Sequence, residues 1–109
     1  MTDKTVVLST CGSAEEASAI ARLLVEERLA ACVNILPAVH SVYRWKGVLE
    51  EADEWMLIIK TRRALVDRLA TRLRNAHSYE LPEIVAIPVV DGLPAYLSWI
   101  DEETTDQTG

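Results

Sequence analysis

The sequence predicts an α+β sandwich in the order β-α-β-β-α-β, closed by a short extra helix. Two observations carry this. Segments rich in Val, Ile, Tyr and Trp alternate with two stretches whose apolar residues recur at helical spacing. The third and fourth elements are both extended, and Lys46-Gly47 between them permits a turn, so they form a hairpin between the two helices.

The first strand spans about Lys4 to Cys11, where Val6, Val7 and Leu8 mark a segment buried on both faces. Gly12 and Ser13 end it. Ser13-Ala14-Glu15-Glu16 has the form of a capping box, with the hydroxyl and the Glu16 carboxylate expected to satisfy free backbone N–H groups. The helix that follows places Ala17, Ile20, Ala21 and Leu24 on one face and fades near Leu29. Cys32 to Trp45 reads as a long strand bent at Pro37. Its partner returns from about Glu50 to Lys60, with Trp55, Leu57 and Ile59 on one face and Met56 and Ile58 on the other. A second helix from about Arg63 to Ala76 carries Leu65, Leu69 and Leu73 inward, while Arg62, Arg63, Arg68, Arg72 and Arg74 make its outer side basic. Pro82 breaks the chain before a last strand, Ile84 to Val90. Asp91-Gly92 turns, and Pro94 opens a short helix packed by Tyr96, Leu97 and Ile100. This order is that of a ferredoxin-like split βαβ sandwich.

With 109 residues, half of them hydrophobic, the chain is expected to form one domain over residues 1–100. Residues 101–109, acidic and Thr-rich, read as a flexible solvated tail. A net charge of −6 disfavours nucleic-acid binding, which draws most of its affinity from basic residues. No apolar run approaches the roughly 20 residues of a membrane helix, and a cytoplasmic location is expected. The two cysteines, Cys11 and Cys32, are too few for a disulfide scaffold and read as small buried hydrophobes.

The hairpin argues for self-association. A strand from Cys32 to Trp45 would extend roughly 45 Å at about 3.3 Å per residue, whereas a domain of this size is about 35 Å across. The overshooting part carries Val42, Tyr43, Trp45, Val48, Leu49, Trp55 and Met56. Such an edge promotes aggregation unless copies of the chain bury it. The acidic block Glu50, Glu51, Asp53 and Glu54 and the basic second helix are expected to meet across that interface, setting register.

Several long stretches resemble the CutA family of divalent-cation tolerance proteins. They are Ala30-Ala31-Cys32-Val33-Asn34-Ile35-Leu36-Pro37, Ser41-Val42-Tyr43-Arg44-Trp45-Lys46-Gly47, Ile59-Lys60-Thr61, His77-Ser78-Tyr79-Glu80-Leu81-Pro82-Glu83-Ile84 and Tyr96-Leu97-Ser98-Trp99. The resemblance covers Val6 to Ile100. It implies a homotrimer in which hairpins of three subunits pack together, similar to the PII signalling proteins, and a link to copper and other divalent metal ions. The family usually reads His-Pro-Tyr-Glu, so Ser78 is a departure that removes proline's restriction on His77. The family's proposed copper ligands come from this histidine and from a first-strand cysteine. His77 carries over; the cysteine position is matched by Ser9, and Cys11, two residues on and on the same face, is the substitute.

The expected metal residues are therefore His77 and Cys11, since imidazole and thiolate suit copper. Tyr79, Glu80, Lys60, Trp45 and Cys32 are expected around a ligand cleft between subunits. His40, beside the strand bend, reads as an ordinary surface residue. The sequence has no G-x-S-x-G elbow, no phosphate loop and no H-E-x-x-H pair, so no enzyme is expected. Two functions follow: a metal-binding trimer of divalent-cation tolerance, or a PII-like trimeric sensor or scaffold for a small ligand or protein.

Overall fold

The structure is a computed structural model that describes residues 2–105. Its elements run β1 (Lys4–Cys11), α1 (Ala14–Glu26), β2 (Cys32–Trp45), β3 (Val48–Arg62), α2 (Val66–Ala76), β4 (Val85–Pro88) and α3 (Pro94–Glu103), with a 3-10 turn at Arg63–Leu65 before α2. The four strands form one antiparallel sheet in the order β2-β3-β1-β4. This is the ferredoxin-like arrangement with an added C-terminal helix.

Alternation on the central strands places the core. Val7 lies opposite Ile59, Ser9 opposite Leu57 and Cys11 opposite Trp55, so one face of the sheet collects these side chains. They pack with Ala17, Ile20 and Leu24 of α1 and Leu69 and Leu73 of α2. Each fully buried Leu or Ile there contributes roughly 2 kcal/mol of transfer free energy. Trp55, expected in the exposed part of the hairpin, instead packs against this core. Its odd position on β3 carries it to the helical face.

Three ends differ from the sequence expectation. The first helix stops at Glu26 rather than near Leu29 because Arg28 adopts a left-handed conformation, φ 58°. The Arg28 and Leu29 amides then donate to the Val25 and Leu24 carbonyls, the Schellman closure that ends a helix. The last strand is shorter than expected, Val85–Pro88. Finally, α3 continues through Glu103, and Thr104 is buried, where a solvated tail from Asp101 was expected. Lys4 pairs with Asp101, and the Arg62 guanidinium donates to Thr104 Oγ1 and O. These anchors order the chain beyond Ile100; residues 106–109 of the expected tail lie outside the described residues.

The hairpin is the long axis of the molecule, whose extents are 47 × 28 × 22 Å. Only Trp55 to Arg62 of β3 pairs with β1, whereas the β2–β3 ladder continues from Glu54 out to Val48. Its tip is a two-residue turn with Lys46 and Gly47 both at positive φ, 51° and 81°, the twist that suits two-residue hairpins. The bend expected at Pro37 is present as a register irregularity between Leu36 and Val39, with Ala38 at φ 60°. Beyond it, Val42, Tyr43, Val48 and Leu49 are exposed.

Candidate metal cluster and hairpin groove

Where β1 ends, the chain has brought three metal-ligating side chains together. Cys11 is the last residue of β1, Glu16 lies in the first turn of α1 and His77 caps the C-terminus of α2. One donor atom from each lies within 4.8 Å of the others. Cys11 and His77 are buried and Glu16 is half-buried.

The hydrogen bonds of His77 assign its tautomer. Nε2 lies 2.7 Å from the Thr10 carbonyl oxygen, which can only accept. Nδ1 accepts from the Tyr79 amide at 3.0 Å. The ring is thus neutral, protonated on Nε2, with its lone pair on Nδ1. A backbone carbonyl holding one ring nitrogen is the usual way a protein orients a histidine ligand.

Glu16 was expected to close a capping box, and half of that box forms: Ser13 Oγ accepts from the Glu16 amide. The carboxylate is used elsewhere, accepting from the Ser78 amide at 2.8 Å. Burial pushes its carboxyl up, but hydrogen bonds from Ser78 outweigh this and hold it below the ordinary value. Ser78 matters here as a backbone donor, because a proline at this position has no N–H to offer. Burial, with the Glu16 and Glu54 charges, pushes the Cys11 thiol up to about 11.

The donor set fits a metal ion. Thiolate, carboxylate and imidazole suit zinc and copper. Donors around one such ion stand roughly 3–4 Å apart, so a small inward shift would complete a three-donor site. Ser9, on the same face as Cys11, is fully buried, and its Oγ has no hydrogen-bond partner among the described residues.

Tyr79 joins this cluster to a second feature. Its amide faces His77, while its hydroxyl donates to Glu54 Oε2 at 2.8 Å. Burial, and then the Glu54 carboxylate, push its phenol well above the ordinary value. Gly12 permits this contact, since a Cβ there would stand 3.1 Å from the Tyr79 hydroxyl oxygen. Tyr79 and Glu54 line a groove of about 720 Å³ along the hairpin, whose wall includes Tyr43, Trp45, Glu50 and Glu80.

The remaining expected site residues separate. Tyr79, Glu80 and Trp45 line the groove, but Glu80 is exposed and pairs with Lys46 at 3.6 Å. Cys32 and Lys60 face each other across β2 and β3, and Lys60 hydrogen-bonds Asn34. Lys60 lies five residues along β3 from Trp55, the partner of Cys11, which is about 17 Å of strand, so neither belongs to the cluster. The acidic block divides too: Glu54 is buried, while His40 bridges Glu51 and Asp53 at 2.8 and 2.9 Å. On the basic helix, Arg72 pairs with Glu27, the residue that follows α1 in the same chain. Sequence reading missed Glu16 and Glu54 as site residues. A cap signal accounted for the first and a run of acids for the second; only the buried position of Glu54 marks it out.

A family model described as CutA1 divalent ion tolerance protein matches residues 5–103. The chain is 48% identical over 99 residues to the divalent-cation tolerance protein CutA of Thermus thermophilus, covering 91% of this chain and 96% of that protein. It is 46% identical to Protein CutA of Mus musculus over 95 residues, 87% of this chain but 54% of that protein, so it spans about half the length of that relative. The crystal structure of CutA from Xylella fastidiosa matches with a TM-score of 0.93 at 46% identity, covering 95% of this chain and 100% of that one. A CutA described as periplasmic, from Archaeoglobus fulgidus, matches with a TM-score of 0.91 at 41% identity, covering 94% and 99%. With the family matched over nearly its whole length and the same fold in structures this similar, the chain belongs to the CutA1 divalent ion tolerance protein family.

Proposed function

We propose that this chain contributes to divalent-cation tolerance by holding a copper or other divalent metal ion with Cys11, Glu16 and His77, in a homotrimer. The convergence of those three donors within 4.8 Å carries the reading. Nδ1 of His77 supplies the lone pair, so an ion there would take the place of the Tyr79 amide. Cys11 would lose its proton to the solvent, as thiol ligands must. The ion would act as a bound cargo; Tyr79 and Glu80, hydrogen-bonded and salt-bridged to Glu54 and Lys46, support no catalytic step.

Calorimetry of the full chain with Cu(II), Zn(II) and Cu(I) tests the site. Binding at micromolar concentration or tighter is expected, weakened about tenfold or more in Cys11→Ser and in Glu16→Gln. His77→Ala leaves the Thr10 carbonyl and Tyr79 amide unpaired, so the other two variants are the cleaner probes. No binding, or binding unchanged in both, would overturn the assignment.

A second reading, a PII-like sensor or scaffold, is favoured by the hairpin groove. Its wall includes Tyr43 and Trp45, on the apolar hairpin that a trimer would bury. The groove would then lie at a subunit boundary and take a small ligand or a segment of a partner protein.

A further inference from the structure

The groove has a chemical character of its own. Its wall carries four carboxylates, Glu50, Glu54, Glu80 and Glu83, and its aromatic residues are Tyr43, Trp45 and Tyr79. Among the described residues, no lysine or arginine lines it. Aromatic faces with carboxylates form the arrangement that recognises organic cations, because ring quadrupole and negative charge attract the same group.

Two observations go beyond that composition. Glu54 is only 6% exposed, and its Oε2 accepts from the Tyr79 hydroxyl at 2.8 Å, which holds a carboxylate and a phenol ring side by side in the groove. A carboxylate this far out of water attracts a cation more strongly than one in open solvent. At the rim, the chain's own alkylammonium shows what the wall holds: Lys46 Nζ stands 5.5 Å from the centre of the Trp45 ring and 3.6 Å from Glu80 Oε2. Deeper in, Tyr43, Tyr79, Glu50 and Glu54 offer the same combination with no cation of the chain's own. The volume, about 720 Å³, falls in the range of small-molecule sites.

We infer that the hairpin groove binds a small organic cation, an alkylammonium or guanidinium compound, through Glu54 and the Tyr43, Trp45 and Tyr79 rings. The inference rests on the reading of the groove as a ligand cleft and names the class of ligand. It is separate from the metal cluster, whose donors are Cys11, Glu16 and His77.

The test uses the full chain in its native assembly, titrated with putrescine and agmatine as cationic probes and 1,4-butanediol as the neutral analogue. Calorimetry and NMR shifts of the Tyr43 and Tyr79 rings report binding. The amines are expected to bind and the diol is not. Glu54→Gln keeps an acceptor for the Tyr79 hydroxyl but removes the charge, and should weaken amine binding about tenfold. Lys46→Met vacates the rim and should tighten it severalfold. Equal response to amine and diol, or amine binding unchanged in Glu54→Gln, overturns the inference. If anionic or neutral metabolites shift the groove resonances and amines do not, the cleft reading survives and the cation assignment fails. If no probe of any charge shifts them, as when an arginine of a second copy fills the groove, both fail.

Discussion

Ser78 illustrates how one residue can trade one restraint for another. His77 sits at φ −85°, ψ 144°, the extended region that a following proline would impose. Here two hydrogen bonds hold the ring, and the Ser78 amide is left free to dock Glu16. Ser78→Pro therefore fits the His77 backbone but removes a donor from a half-buried carboxylate. Glu16 should then titrate above its present, depressed value, as read by side-chain NMR of labelled glutamate; an unchanged titration would show that the amide does not hold it. Ser9 poses the opposite case. Its orphaned Oγ costs desolvation without return, so Ser9→Ala should stabilise the chain by about 1 kcal/mol in denaturant unfolding. A loss of stability would mean the hydroxyl has a partner in solution.

At the scale of the element, the hairpin carries its own charged clamp. Both His40 nitrogens face carboxylate oxygens of β3, Glu51 and Asp53, an arrangement satisfied fully only by the imidazolium. Hydrogen bonds to Asp53 and then Glu51 raise its pKa above 6.5. Because the folded value is raised, this stabilisation is fully present below 6.5 and is lost as pH rises through the folded value. Thermal unfolding between about pH 5.5 and 8.5 should show that loss, and His40→Gln should remove it from the profile. The clamp is exposed and screened, so salt should weaken it. The same element shows where sequence reasoning was strong. Lys46-Gly47 and the length of β2 were legible because turn chemistry and β-branched runs are local. The buried Glu54 was not, because on a strand it reads like its exposed neighbours.

For the whole molecule, the projecting hairpin sets the question of assembly. Val42, Val48 and Leu49 are each more than half exposed, on a chain with a radius of gyration of 14.5 Å, against about 13 Å for a compact domain of this size. Light scattering should give about three times the 12.1 kDa chain mass, and Leu49→Lys with Val48→Lys should lower it by burying charge at the interface. A wild-type mass of one chain would end the trimer proposal.

By itself the sequence determined the order of elements, the hairpin turn, the apolar faces of both helices and the family, since periodicity, turn residues and long motifs are all local signals. It named Cys11 and His77, but the link to Glu16 needed the tertiary structure. Residues at positions 11, 16 and 77 meet because β1 and α2 end, and α1 begins, at one corner of the sandwich. Burial at that corner, and along the hairpin at Glu54, is a property of packing rather than of residue type. Only the folded chain could show which carboxylates face solvent and which face a site.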